Sequence, residues 1–331
     1  MTEQFPATIA VSRRGLFQQV AAGIGTAALA SILNEDVYAA GNTLPGSPHH
    51  EPRAKSVIHL FMNGGPSQMD LLDPKPELTR HHGEDYFQNI AGEVEFPDAA
   101  GSLMRSPFKF AQHGECGMWM SELMPHLATQ ADKLAVIRSL QTTNLTHEPA
   151  LYKIHSGSEF IGRPSLGAWV SYGLGSENRN LPAYVVLDDP LGLPVNGVDN
   201  WKSGYLPPVH QGTRFRATGS PVLNLEPGFT EPSSIRQVER DLIARLDEIH
   251  RRDRPGRPQL DARISSYELA ARMQLAATDA LDLSQETADT HKRYGIDQSV
   301  TESYGRRCLI ARRLVERGVR FVQLFINSQI W

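Results

Sequence analysis

The sequence has few cysteines, little excess charge and no long apolar run. Its 331 residues include two cysteines, Cys116 and Cys308, which excludes a disulfide framework and a cysteine-rich zinc site but leaves a single bridge open. The formal net charge is -4 and the basic residues are dispersed, so we expect no nucleic-acid partner. No apolar run reaches the ~20 residues of a transmembrane helix, so we expect no stable membrane span. The 40% hydrophobic content is typical of a globular protein.

The N-terminus has the pattern of an export signal. Ser12-Arg13-Arg14-Gly15-Leu16-Phe17 precedes an apolar run from Val20 to Leu33, and the small residues Ala39 and Ala40 follow. This order is typical of a twin-arginine signal peptide. It predicts a signal over residues 1–40, a linker over 41–55, the twin-arginine export machinery as a partner, and a periplasmic or secreted protein. An uncleaved anchor or an ordinary amphipathic helix is the alternative interpretation.

The rest of the chain alternates apolar runs of strand length with helical patterns. The predicted strands are Ser56–Met62, Leu134–Ile137, Ala183–Leu187 and Gly318–Phe325, and the predicted helices are a segment beginning at Ser121, then Pro164–Tyr172, Ser233–Arg252, Asp261–Leu283 and Thr301–Arg317. A long loop is predicted from Asp188 to Pro232. This alternation predicts the α/β fold class, with a mainly parallel sheet flanked by helices.

Six segments, in order, resemble the DUF1501 family. They are HLFMNGGPSQMDLLDPKP, SELMPHLATQADKLAVIRSL, HEPALYKIHSG, RPSLGAWVSYGLG, LPAYVVL and GVRFVQLF. The resemblance implies an alkaline phosphatase and sulfatase-like fold, with residues 56–331 forming a partial domain whose later strands would follow Trp331. It implies a hydrolase of sulfate or phosphate esters, acting on a small molecule or a polysaccharide. It also implies a divalent metal, which would be zinc, calcium, magnesium or manganese.

The segment HEPALYKIHSG would contain the nucleophile of such an enzyme. The sulfatase signature Cys-x-Pro-Ser-Arg-x-x-Leu-x-Thr-Gly, laid on this segment, places His147 at the nucleophile position, and a slip of one residue places Thr146 there. Both are catalytic candidates, and Asn144 is a candidate anion contact, because amides at a helix N-terminus stabilise a bound anion. Equally, Thr146 and Asn144 are typical cap or turn formers, and His147 is a structural imidazole in the alternative interpretation. His155 is predicted to be packed.

The metal and anion contacts of the predicted site come from other segments. The resemblance implies ligands directly after the first strand, where Asn63 stands and where Asp70 is the nearest acid, so both are metal candidates. A solvated loop is the other interpretation of Asp70. Arg163 is a candidate anion contact, as is Arg138, and ordinary ion pairs are the alternative for both.

The long loop contains a further set of candidates for a substrate pocket. Trp201, Tyr205, His210 and Arg214 either form a platform on which sugar rings stack or fill a hydrophobic gap.

Three functions follow from all these patterns. They are an exported metal-dependent ester hydrolase, an envelope binding or structural protein without activity, and a truncated fragment without function.

Overall fold

The computed structural model describes residues 50–85, 99, 101–144, 146–216 and 232–327. The chain divides into two compact units, Met1–Lys55 and Ser56–Trp331. In the first unit the described residues, 50–55, form no helix or strand, and the predicted signal lies outside the described residues. Among the described residues, no helix is both long and apolar enough to cross a membrane.

The second unit contains six strands and nine α-helices in its described part. The strands are β1 Val57–Phe61, β2 Phe110–His113, β3 Met118–Ser121, β4 Tyr184–Leu187, β5 Thr213–Phe215 and β6 Phe321–Phe325. The helices are α1 Gln68–Leu71, α2 Pro76–Arg80, α3 Pro125–Ala128, α4 His147–Ser156, α5 Leu166–Leu174, α6 Ser233–Asp253, α7 Pro258–Leu281, α8 Ala288–Arg293 and α9 Glu302–Glu316. Four 3-10 turns occur at Ala131–Lys133, Gly197–Trp201, Pro208–His210 and Leu283–Gln285.

Four of the strands form a parallel sheet in the order β1-β6-β4-β5. Phe321 of β6 is in register with Val57 of β1 on one side and with Tyr184 of β4 on the other. All five residues of β6 are buried, whereas β1, at the sheet edge, is largely exposed. The predicted fold class, α/β with a mainly parallel sheet flanked by helices, is therefore confirmed, and the likeness to alkaline phosphatase stays a prediction.

The sheet is covered on both faces. Val185 of β4 and Val322 of β6 pack with apolar residues of α7 and α9. Their neighbours Tyr184 and Phe321 point to the opposite face, where they pack with Trp201. Because successive strand residues point to opposite faces, both faces of β4 and β6 must be apolar, which explains their continuous hydrophobic runs.

The predicted strand Leu134–Ile137 is wrong. These residues form neither strand nor helix, Leu134 packs on the small cluster of Met120, Ala128 and Ala131, and Ile137 is 66% exposed. The helix predicted from Ser121 is reduced to α3 and a 3-10 turn. An antiparallel hairpin of β2 and β3, which was not predicted, lies beside this segment. The Asp132 carboxylate accepts a hydrogen bond of 2.8 Å from the amide of Cys116, which lies in the turn of the hairpin.

Candidate functional site

The predicted nucleophile segment lies at the start of α4. Thr146 precedes the helix and donates both its amide and its hydroxyl to the side-chain oxygen of Asn144, at 2.9 and 2.8 Å. The Asn144 amide in turn donates to Glu159 at 3.5 Å. This arrangement is a local asparagine turn, as the alternative interpretation of Thr146 and Asn144 expected. His147 is the first residue of the helix and is exposed.

The two metal candidates occupy different environments. Asn63 is buried directly after β1, where its side-chain amide donates to the carbonyl of Asn327 at 3.1 Å. Asp70 lies in α1 and accepts a hydrogen bond from the Ser67 hydroxyl at 2.7 Å. In the described ranges no group of three or more His, Cys, Asp or Glu side chains is placed to hold a metal ion. The donor set around Asn63 and Asp70 therefore does not fit a divalent cation, and the metal stays a prediction.

The acids that do stand at the carboxyl end of the sheet are Asp188 and Asp189, which directly follow β4. Asp189 is buried and forms an ion pair at 3.0 Å with the buried Arg307, which also donates to the Phe325 carbonyl at 2.6 Å. Asp188 pairs with Arg214. Burial raises the pKa of Asp188, and the charge of Arg214 opposes that shift. Both carboxylates are neutralised by arginines, so their arrangement is structural.

A cavity of about 330 Å³ lies beside the second half of α4. Its walls come from α4, from the loop that leads to α5, from the 3-10 turn at Gly197–Trp201 and from the loop that follows the turn. They include Tyr152, His155, Ser156, Phe160, Arg163, Ser165, Asn200, Lys202, Gly204 and Gln211. Its size is that of a small-molecule site.

Glycine and backbone bonds hold the walls together. Gly204 has φ +56°, and a Cβ there would lie 2.5 Å from the backbone of Arg163 and Pro164. The loop can therefore approach the start of α5 only because this residue has no side chain. The amide of Ser165 donates to the Lys202 carbonyl at 3.1 Å, and the Ser165 hydroxyl caps α5 by accepting the Ala168 amide.

His155, a residue of this lining, has a buried nitrogen without a partner. Its side chain is 4% exposed, and its Nδ1 lies 2.8 Å from the Leu151 carbonyl. A carbonyl only accepts, so Nδ1 carries the proton and Nε2 is a bare acceptor, which has no hydrogen-bond partner. Burial lowers the pKa of His155 to about 4, although the hydrogen bond to Leu151 raises it. The ring is therefore neutral at physiological pH.

Asn200 presents a second unpaired acceptor. The residue is 1% exposed, and its amide nitrogen donates to the carbonyls of Val195 and Gly197 at 2.7 and 3.1 Å. These two bonds fix the orientation of the side chain. Its oxygen, Oδ1, is buried and has no partner. Two residues of the lining thus each carry a buried acceptor without a donor.

Positive charge lies in the lining, and two exposed aromatic rings lie close to lining residues along the chain. The exposed Arg163 lines the cavity, and Lys202 pairs with Asp199. Tyr205, which follows Gly204, is exposed and lies 5.9 Å from the ring of Trp169 between centroids. Of the loop candidates, Trp201 fills the core.

The structure separates the predicted site residues into several places. His155 lies nine residues after Thr146 on a helix that rises ~1.5 Å per residue, so about 14 Å separates them along the axis. Arg163 belongs to the cavity, whereas Thr146, His147 and Asn144 lie at the far end of α4. His155 is packed as predicted, and it shares the buried face of α4 with Leu151, while Ile154 is 60% exposed.

One family model matches most of the length of this chain. The family described as "Protein of unknown function (DUF1501)" matches residues 54–331. The chain belongs to the DUF1501 family. No curated protein and no solved structure matches it. Membership of DUF1501 agrees with the resemblance seen in the sequence, and the sulfatase-like superfamily stays a prediction.

For this DUF1501 protein, sequence reasoning missed Asn200, Lys202 and Gly204 as parts of a site. The one signal was the unusual length of the loop from Asp188, since long ordered loops are more often functional. An asparagine followed two residues later by a lysine has no motif value of its own. The carbonyls of the turn fix the orientation of the Asn200 side chain by accepting its amide nitrogen, and this orientation leaves the oxygen without a partner.

Proposed function

We propose that this DUF1501 protein is an exported binding protein for a sulfate or phosphate ester of a sugar, with the ligand held in the cavity beside α4. One observation carries the proposal. His155 and Asn200 line the same cavity, and each carries a buried acceptor, Nε2 and Oδ1, without a hydrogen-bond partner. An unpaired buried polar group costs about 1–3 kcal/mol, and a ligand that donates hydrogen bonds removes that cost.

The chemistry of the lining selects the ligand. Both buried acceptors need donors, and sugar hydroxyls supply them without adding charge to a poorly hydrated cavity. The neutral imidazole of His155 cannot pair with an anion, so the charged ester group faces Arg163, whose planar guanidinium matches the oxygens of sulfate or phosphate. The exposed ring of Phe160, which is part of the lining, stacks on the face of a sugar ring.

Export of the protein is proposed on the twin-arginine pattern at Arg13 and Arg14. A periplasmic or secreted protein meets sugar esters of the cell surface and the surroundings.

A second candidate function is ester hydrolysis with Thr146 as the nucleophile. The Thr146 hydroxyl stands at the N-terminus of α4 and is held by Asn144 at 2.8 Å, which is a position where helix amides stabilise an anion. The amide oxygen of Asn144 accepts this hydrogen bond but is too weak a base to remove the proton. Asn144 therefore orients the hydroxyl and does not activate it. Along α4 this hydroxyl lies about 9 Å from Tyr152, where the cavity lining begins, and about 14 Å from His155, so a ligand held beside His155 is bound without being attacked.

Calorimetric titration tests the binding function. The probes are glucose 6-sulfate, glucose 6-phosphate, glucose and inorganic sulfate. We expect the esters to bind more tightly than glucose or sulfate alone, and His155→Leu and Asn200→Leu each to weaken ester binding by roughly 10-fold, which corresponds to one lost hydrogen bond. The exposed His126→Leu is the matched control and should bind normally. Equal affinity of the native chain and both cavity variants would refute the proposal.

An aryl ester assay separates the two candidates. Turnover of 4-nitrophenyl sulfate or phosphate that is lost in Thr146→Val, and kept in His155→Leu, would establish hydrolysis at the far end of α4. Ester binding without turnover supports the binding protein.

A further inference from the structure

Helix α6 presents an apolar stripe to solvent. Ile235, Val238, Leu242, Leu246 and Ile249 are between 48% and 67% exposed. They recur at intervals of three and four residues, so they lie on one face of this 21-residue helix. Soluble proteins rarely leave such a row of large apolar side chains uncovered.

The described part of the unit leaves this stripe exposed. One described contact is an ion pair of Arg251, near the end of α6, with Asp261 of α7 at 3.3 Å. The polar side of α6 is satisfied by bonds within the helix, such as the one from Gln237 to Asp241 at 2.9 Å. The cited bonds of the polar side lie within α6 or at its end, whereas the large apolar side chains of the stripe are exposed.

The spacing of the stripe identifies the partner. Its intervals are three, four, four and three, which read the same in both directions from Leu242. We propose that α6 pairs antiparallel with α6 of a second copy of this chain, with a two-fold axis at Leu242. The axis then places Ile235 opposite Ile249, Val238 opposite Leu246, and Leu242 opposite its own copy. A contact of one surface with itself is the isologous interface of a two-fold dimer.

The charges beside the stripe fit the same arrangement. Asp241 and Arg245 are four residues apart and share one flank of the helix, with Leu242 between them on the stripe. Antiparallel pairing at Leu242 brings Arg245 of one protomer close to Asp241 of its partner, and the symmetry repeats the pair. The helix sequence contains five arginines and five acidic residues, so two copies do not repel each other through net charge.

The mass of the full chain in solution tests the dimer. Light scattering during gel filtration, at micromolar concentration, should give twice the monomer mass. Leu242→Glu should raise the dissociation constant by roughly 30-fold or more, because it buries a charge at the centre of the interface, and should leave the helical circular dichroism unchanged. Val300→Glu, at a residue 94% exposed outside α6, is the control and should stay dimeric. A monomeric native chain, whether the stripe is bare or covered by another segment of the same chain, overturns the proposal.

Cross-linking and charge exchange test the antiparallel register. In a Cys116→Ser background, Leu242→Cys should form a disulfide dimer, and Ile235→Cys should cross-link to Ile249→Cys when the two chains are mixed. Arg245→Asp alone should weaken the dimer, and adding Asp241→Arg to the same chain should restore it. A dimer in which Leu242→Cys stays uncross-linked, or in which the exchanged pair fails to restore affinity, overturns this arrangement. Sugar-ester binding is measured separately, so this proposal and the proposed function fail independently.

Discussion

Lowering the pH from about 7 to about 5 is expected to weaken the fold through His155. The pKa of this imidazole is about 4 in the native state, because the ring is buried, and its ordinary value is 6.5. Between these two values the unfolded chain binds a proton that the native chain excludes. The free energy of unfolding is therefore unaffected by this group above pH 6.5, falls as the pH falls from 6.5 to about 4, and levels off below.

The magnitude follows from the size of the shift. Each pKa unit is worth about 1.4 kcal/mol, so the whole effect is about 3 kcal/mol, of which about 2 kcal/mol is lost by pH ~5. His59 also has a pKa lowered by burial, so the native chain will lose more than this amount. The contribution of His155 is the part of the loss that a variant without the ring does not show.

Urea unfolding at the two pH values, followed by tryptophan fluorescence, measures this part. His155→Leu should lose about 2 kcal/mol less than the native chain on acidification, while the exposed His126→Leu should lose as much as the native chain does. If the native chain and His155→Leu lose the same free energy, the imidazole is not buried in its neutral form, and the acceptor at Nε2 that defines the cavity does not exist.

Two further changes test the packing around the sheet. Asp189→Asn removes the charge that faces the buried Arg307 and should cost about 3–5 kcal/mol in thermal unfolding, and full stability of this variant would show that Arg307 is paired elsewhere. Gly305→Ala should destabilise the chain by more than about 2 kcal/mol, because the new methyl group would lie 1.9 Å from the carbonyl oxygen of Tyr294. Gly173→Ala, in a helix with open space at that position, should instead stabilise by up to about 1 kcal/mol, and calorimetry of both variants checks the contrast.

The fold was predictable where the pattern is local. The apolar runs of β1, β4 and β6 and the helical periodicity of α6, α7 and α9 are properties of short windows, and all of them occur close to the predicted bounds. Leu134–Ile137 has the same apolar composition and forms no strand, because a strand also needs a neighbour to bond with. That neighbour is decided by distant parts of the chain.

The candidate site was less predictable. His155 was predicted as a packed residue, and its burial agrees, but its place in a cavity lining shared with Asn200 depends on the three-dimensional packing of α4 against the turn that carries Asn200. The sulfatase signature predicted Thr146 and His147 as site residues, and these lie at the other end of α4. A motif locates a segment, and three-dimensional packing decides which end of the segment meets a ligand.

The order of the sheet ties the pairing of β1 to the later synthesis of β6. β6 is the strand between β1 and β4, and its residues are paired with residues of β1 that were made 264 positions earlier, as for the bond of Asn63 to Asn327. At about 5–20 residues per second, a ribosome needs roughly 13–50 s to cover that distance, during which the apolar strand β1 has no sheet neighbour. Such non-local pairing folds slowly, and β1 stays unpaired until Phe325 has emerged.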